Sequence, residues 1–371
     1  MNILFYSPLQ SGRSKDTESV MEGFVKNGDK VLLLTQYPSP LYHEACRKLG
    51  VECFHSSTTG TVGLVRKIKQ LFFLIRFCEA HRIQVIYSQL EPANLIAVVA
   101  QFLIRAKVVL VRHHVDEVET TSTRKAHLIS MIMYKLARHV AVVSRRAKEY
   151  MVNREKISAE KIHLIPLGYN FSIWPPVNES FVQTKKSQIR AAFTLITAAR
   201  LVKAKRVDLS IRLLSKVVDQ GIDCKLLILG EGEDQEHLRQ LTAQLNLTER
   251  VYFEGYVSNV LDYMRIADMM VHFSLIDSSP AIVKEAGLAS IPVVVCRDVG
   301  DCDDYIVDGV NGFLVDRDQP LSEAFEKVMA YHHARVHVDN MGKQLKESVL
   351  KNFSIETVLP LYQKLNRELW P

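Results

Sequence analysis

Two carboxylates, Asp277 and Glu285, stand eight residues apart around a turn of Ser278, Ser279 and Pro280, which leads into "AIVKEAGLASIPVVV". The chemistry nearest to hand is anion binding. Ser279 suits a helix N-cap, and Pro280 suits the first helical position, where a missing N–H costs nothing. The helix then runs through Ala281, Ile282, Val283, Lys284 and Glu285, and its free backbone amides make an anion site. Glu285 lies more than a turn further in, too deep to cap. On these residues alone it is equally a solvated helix glutamate.

Other polar residues sit where an apolar run gives way to a helix. In "TLITAARLVKAKRVDLSIRLL", Arg200 and Lys205 are two cations five apart, ahead of a helix starting near Val207. Such a pair can hold a diphosphate from both sides, or it is a solvated basic turn. "LLILGEGEDQEHLRQL" ends in Gly230-Glu231-Gly232, whose glycines allow close approach of a ligand, although the full G-x-G-x-x-G is missing. "RVYFEGYV" exposes Tyr256 and Val257 as walls for a flat base, with core packing of Tyr256 as the other reading. "VVLVRHHVDEVET" ends in His113 and His114, then Asp116. Adjacent histidines lack the i,i+2 or i,i+4 spacing of a metal pair, and no further ligands accompany them.

What must position these residues is a succession of short apolar runs alternating with helical patterns, and the succession occurs twice. Runs at 2–7, 30–35, 84–89, 107–113, 139–144 and 161–166 form the first series. Runs at 192–199, 224–230, 250–255, 268–274, 291–296 and 312–315 form the second. Continuous apolar strands separated by helices imply parallel sheets covered on both faces. Ligands of such α/β folds bind outside the carboxyl ends of the strands. The proline-rich, polar stretch 172–188 reads as a linker, so the first domain is expected over 1–180 and the second over 181–352.

Bulk properties agree with two soluble domains. The chain has 371 residues, 47% hydrophobic and 24% charged. A net charge of +6 suits phosphorylated ligands or an anionic membrane but is too weak to imply nucleic acid. Six scattered cysteines without a C-x-x-C pair read as reduced thiols of a cytoplasmic protein, with no zinc site. "MNILFYSPLQ" reads as a first strand rather than a signal peptide, and "ANLIAVVAQFLI" is too short to span a bilayer. In residues 61–82, Leu64, Ile68, Leu71, Phe72, Ile75 and Cys78 form a stripe expected to pack on the first sheet. Arg66, Lys67, Lys69 and Arg76 beside it could meet anionic lipid at the inner face of the cytoplasmic membrane.

Set in order, these pieces resemble the donor-binding half of glycosyltransferase family 4. The resemblance rests on "AARLVKAKRVDL", "LLILGEGEDQEHLRQLTAQLNLTERVYFEGYV", "ADMMVHFSLI" running through the Asp277 turn into "AIVKEAGLASIPVVV", and "DVGDCDDYIVDGVNGFLV". "HLIPLGYN" resembles the family's turn closing the first domain. The resemblance implies the GT-B architecture, two Rossmann-like doubly wound domains facing a cleft, with residues 353–371 packing back on the first. It also implies a retaining enzyme that moves a sugar from a UDP- or GDP-sugar to a saccharide or lipid-linked acceptor in bacterial surface polysaccharide or glycolipid assembly.

Residue by residue, the resemblance places the family's E-x7-E motif on Asp277 through Glu285, with Ser278, Ser279, Ala281 and Ile282 beside the donor. Glu285 would accept hydrogen bonds from ribose, and Asp277 would contact the transferred sugar. Arg200 and Lys205 would neutralise the diphosphate, so that no metal or other cofactor is needed. Gly12 matches the family's glycine loop, and His113 or His114 its histidine at the donor sugar, with His113 favoured as the one nearest the strand end. Gly230, Tyr256 and Val257 complete the donor residues. Two departures stand out: Asp277 replaces the usual glutamate, and Asp301 replaces a glycine in the cluster Asp301-Cys302-Asp303-Asp304, which reads as structural. A sugar-nucleotide 2-epimerase of the same fold, or a donor-binding protein that has lost transfer, are the alternatives.

Overall fold

Runs such as "NILFYS" and "FTLITA" have no polar face to offer water, so they are stable only as strands covered on both sides. In the computed structural model, which describes residues 1–8, 13–56, 63–115, 124–334 and 340–371, they form two parallel sheets. The first contains β1 (Asn2–Ser7), β2 (Lys30–Thr35), β3 (Glu52–His55), β4 (Val85–Gln89), β5 (Lys107–Arg112), β6 (His139–Val142) and β7 (Ile162–Leu164), in the order β3-β2-β1-β4-β5-β6-β7. The second contains β8 (Phe193–Ala198), β9 (Cys224–Leu229), β10 (Val251–Gly255), β11 (Met269–His272), β12 (Val293–Cys296) and β13 (Phe313–Val315), ordered β10-β9-β8-β11-β12-β13. Strand β3 is absent from the runs read off the sequence. Its side chains are exposed or only half-buried, as suits an edge strand, so it has no continuous apolar run to announce it.

The chain divides into two units, Met1–Ser172 with Phe353–Pro371, and Ile173–Asn352. The division thus falls earlier than residue 180. Residues 172–188 are more than a linker, because Asn178 Oδ1 accepts a hydrogen bond from Phe181 N at 3.1 Å and starts a helix, Glu179–Ile189. That helix buries Val182 and Ile189. The last helix, Ile355–Leu369, belongs to the first unit. Its Tyr362 ring meets Phe24 and Tyr87 edge-on, and Tyr87 Oη donates to Asn366 Oδ1 at 2.7 Å.

Helix Gly63–Ala80 departs from its expected register. It buries Gln70, Leu74, Phe77 and Cys78, whereas Leu64, Ile68 and Phe72 of the expected stripe are exposed. The helix is apolar on more than one face, so periodicity alone does not select the face that packs. All six cysteines are free thiols.

Candidate active site

In the second unit the singled-out residues line up at the carboxyl ends of neighbouring strands. Tyr256 follows β10, Glu231 follows β9, Arg200 follows β8 and Asp277 follows β11. A parallel doubly wound sheet presents its ligand site at this edge. Tyr256 is 80% exposed, which settles its alternative of core packing. Val257 beside it is half-buried.

Gly230 explains how Arg200 is held. Its φ of +114° is one that residues with a Cβ rarely adopt, and a Cβ there would lie 2.0 Å from Ala199 O. The close approach that the glycine allows is therefore to the turn carrying Arg200. Leu201 N donates to Glu231 O at 2.9 Å and locks the two turns together. Arg200 itself is exposed.

Lys205 and Asp277 form the centre of the edge. Lys205 Nζ donates to Asp277 Oδ2 at 2.6 Å and to Ile276 O at 3.0 Å. His272 Nε2 lies 3.5 Å from the same carboxylate oxygen. Burial pushes the Asp277 pKa up, but the neighbouring His272 and the Lys205 charge outweigh it and hold the carboxyl well below the usual range. Asp277 is thus a stable anion on a short stem, held against a cation.

Ser279 does not cap the next helix. Pro280 occupies the N-cap of Ala281–Leu288, and Ser279 Oγ instead donates to Asp301 Oδ2 at 2.5 Å. The reason is Lys284, which is 0% exposed and needs oxygen acceptors for its ammonium. Lys284 Nζ donates to Asp301 Oδ1 at 2.8 Å, Asp301 Oδ2 at 2.7 Å and Ser279 Oγ at 2.8 Å. Burial raises the Asp301 pKa, while Lys284 and Ser279 pull it back. Glu285 is half-buried in the same helix, Ile282 is half-buried, and Ala281 is exposed at its start. Ser278 N donates to Asp277 Oδ1 at 3.1 Å. Among the described residues, no group of three or more His, Cys, Asp and Glu side chains could hold a metal ion.

Two residues that sequence reasoning passes over anchor these turns. Arg206, in the left-handed region at φ +47°, donates to Phe273 O at 2.6 Å and Arg317 O at 2.8 Å, tying the Lys205 turn to the ends of β11 and β13. In the first unit, buried Arg112 pairs with Glu155 at 2.6 Å and donates to His114 O and Val115 O, which fixes the histidine turn. For Arg112 the available signal is a charged residue ending an apolar strand, whereas Arg206, at the N-cap of helix Val207–Val218, sits in a basic turn that does not mark it out.

His113 Nε2 contacts Gln89 Oε1 at the carboxyl end of β4, and burial lowers its pKa against the pull of Asp16. For His114, burial, then the charges of Arg112 and His113, lower the pKa to about 3. Its Nε2 lies 3.4 Å from Glu91 Oε1. Gly12 and Asp116 lie outside the described residues.

Comparison with known proteins matches both halves. Residues 16–172 fit the family described as Glycosyltransferase Family 4, and residues 182–345 fit Glycosyl transferases group 1. The N-acetyl-alpha-D-glucosaminyl L-malate synthase of Bacillus anthracis is 28% identical over 171 residues, which are 46% of this chain and 44% of that protein. The match thus spans less than half of that relative. The capsular polysaccharide biosynthesis glycosyltransferase CapM of Staphylococcus aureus is 20% identical over 77% of this chain and 78% of its own. In fold, Anabaena Alr3699/HepE, solved in complex with UDP-glucose, has a TM-score of 0.82 at 18% identity, covering 99% of this chain and all of that one. With two family descriptions covering its two parallel-sheet units in order, the chain belongs to the family-4 glycosyltransferases and has the GT-B fold.

Proposed function

We propose that this glycosyltransferase moves a sugar from a UDP- or GDP-sugar to a saccharide or lipid-linked acceptor with retention of anomeric configuration, in bacterial surface polysaccharide or glycolipid assembly. The observation that carries the reading is the Lys205–Asp277 pair at the sheet edge, with exposed Arg200 on the neighbouring turn. A diphosphate accepting from Arg200 and Lys205 is neutralised where charge grows as the glycosidic bond breaks, and this requires no metal ion. Asp277, anionic at any working pH, stands beside the phosphate-binding cation, where the transferred sugar's hydroxyls would lie. Glu285 holds the ribose hydroxyls and Tyr256 supplies a wall for the base. His113, held by Gln89, is the histidine assigned to the donor sugar.

The relatives support the same reading: HepE is solved with UDP-glucose, and CapM is a capsular polysaccharide enzyme. Helix Gly63–Ala80, with Leu64 and Phe72 71% and 61% exposed beside Arg66, Lys67 and Lys69, is suited to peripheral contact with an anionic membrane at the cytoplasmic face. No described helix is long and apolar enough to cross a membrane.

Thermal stabilisation by a panel of UDP- and GDP-sugars identifies the donor, followed by product analysis with and without acceptor. A donor that stabilises the wild type but not Arg200→Ala, and transfers only with acceptor present, is the expected result. Conversion of the donor to an epimer without any acceptor would install the 2-epimerase reading in its place.

A further inference from the structure

The first unit contains a cavity of about 360 Å³ at the carboxyl ends of β2 and β4, a volume in the range of small-ligand sites. Helix Gly63–Ala80 contributes Arg66, Lys67 and Gln70 to its wall. Glu91, just after β4, and Ser130 of helix Arg124–Leu136 face them, and the Tyr37 ring adds a flat side.

Three features show that this wall is prepared for a ligand. Gln70 is 3% exposed, yet its Nε2 has no hydrogen-bond partner among the described residues. A buried amide donor left unmade costs free energy that an entering oxygen would recover. Arg66 and Lys67 have no carboxylate partner among the described residues, and Arg66 stacks 5.5 Å above Tyr37. On the opposite side Glu91 accepts from Ser130 Oγ and lies 3.4 Å from His114 Nε2, so its carboxylate is fixed in place. The cavity is therefore bipolar: two cations and an amide donor on one helix, an oriented carboxylate and a hydroxyl opposite. A bare anion would gain from the first set and be repelled by the second. A neutral sugar would use the carboxylate and leave the cations idle.

From this juxtaposition we propose that the cavity binds a glycosyl phosphate, the phosphorylated sugar end of the acceptor, with its oxyanion at Arg66 and Lys67 and its hydroxyls at Gln70, Glu91 and Ser130. The inference rests on the glycosyl-transfer reading and names the acceptor class for it. The cavity adjoins the histidine turn through Glu91 and His114, which puts a bound acceptor on the same sheet edge as His113. The glycosyl phosphate is either free or carried on a lipid; the recognition chemistry is the same.

Binding is measured by calorimetry with glucose 1-phosphate, methyl α-glucoside and inorganic phosphate. Vesicles of phosphatidylcholine, with and without a glycosylated polyprenyl phosphate, supply the lipid-borne form. Glucose 1-phosphate should bind more tightly than either fragment, and Arg66→Ala/Lys67→Ala should weaken it about tenfold or more. Gln70→Leu should weaken it as well, while cooperative thermal unfolding checks that each variant is folded. Arg200→Ala/Lys205→Ala should leave this binding intact, which separates the cavity from the donor's diphosphate site. Capture of the soluble form, of the vesicle-borne form or of both, lost in Arg66→Ala/Lys67→Ala, supports the proposal and identifies the source. Capture of neither by the wild type, or binding unchanged in Arg66→Ala/Lys67→Ala, overturns it. Failure of donor transfer with cavity binding intact would strike the transfer reading alone.

Discussion

Lys284 Nζ lies 2.7 Å from Asp301 Oδ2, and both side chains are 1% exposed. With Ser279, the aspartate completes three bonds to a lysine that ordinary helix patterning would put in water. The pair joins helix Ala281–Leu288 to the loop after β12. Gly300, preceding Asp301, has φ +63°, and a Cβ there would lie 2.9 Å from Ser278 O. The loop therefore supports the backbone that carries Asp277 and Ser278.

Breaking this pair from one side should be costly. Asp301→Asn leaves a buried ammonium without its counter-charge, a loss of about 3–5 kcal/mol, and Lys284→Met strands the carboxylate similarly. The double variant Lys284→Met/Asp301→Leu should recover much of that loss, because neither charge is then buried alone. Urea denaturation of the three variants measures it. Equal midpoints for Asp301→Asn and wild type would show that the pair is not what holds the loop.

How much of this is legible in the sequence follows from which contacts are local. The strands of the second sheet are readable because each is a continuous apolar run, and Arg200, Lys205 and Asp277 are readable because they fall where those runs end. Lys284 and Asp301 are not. They are seventeen positions apart on different elements, and nothing in "IVKEAG" distinguishes a buried lysine from a wet one. Ser279 resembles a cap in sequence but is not one, for the same reason: its preferred partner is supplied by a distant loop. Helix Gly63–Ala80 shows the converse limit, since its apolar residues are all visible but the face chosen by packing is not.

Acid should destabilise the first unit through His114. Its pKa is lowered to about 3 in the folded state, so the imidazole is neutral there, while the unfolded chain binds a proton below its ordinary value. Stability is therefore unaffected above about pH 6.5 and falls as pH drops toward 3, by about 1.4 kcal/mol per pH unit for a fully shifted group. His114→Gln should flatten that slope in denaturation curves taken from about pH 7 down to about pH 5. An unchanged slope would mean that other groups carry the acid sensitivity.

The proposed diphosphate clamp is tested by its cations. Arg200→Ala and Lys205→Ala should each lose about 2–4 kcal/mol of transition-state stabilisation, as on removal of an electrostatic stabiliser, read from kcat/KM for the donor. Lys205→Ala also leaves Asp277 without its partner at 2.6 Å, so its effect should include a shift in the acid limb of the pH profile. Arg200→Ala should not move that limb. Wild-type rates in both variants would remove the clamp from the mechanism.

Transfer should continue in excess chelator if, as proposed, two cations and the amides at the start of helix Ala281–Leu288 supply the positive field that a metal would otherwise provide. Activity abolished by chelator and restored by magnesium or manganese would reverse that conclusion.

The two acids of the motif should separate kinetically. In the proposed mechanism Glu285 serves ribose hydroxyls, which change little as the sugar leaves, and interactions equal in ground and transition states alter binding rather than turnover. Glu285→Gln should therefore mainly raise the donor's KM. Asp277 holds Lys205 Nζ at 2.6 Å, so in the proposed mechanism, where it meets the reacting sugar, its loss also disturbs the cation at the leaving diphosphate. Asp277→Asn should mainly lower kcat. Asp277→Glu is the sharper probe, because one added methylene either pushes the carboxylate past Lys205 toward the sugar or displaces the ammonium. The first outcome keeps transfer and changes which donor sugar is preferred; the second weakens donor binding in the manner of Lys205→Ala. Steady-state kinetics at saturating acceptor distinguish them. A kcat untouched by Asp277→Asn would reduce Asp277 to a counter-ion for Lys205 and leave the transferred sugar to other groups.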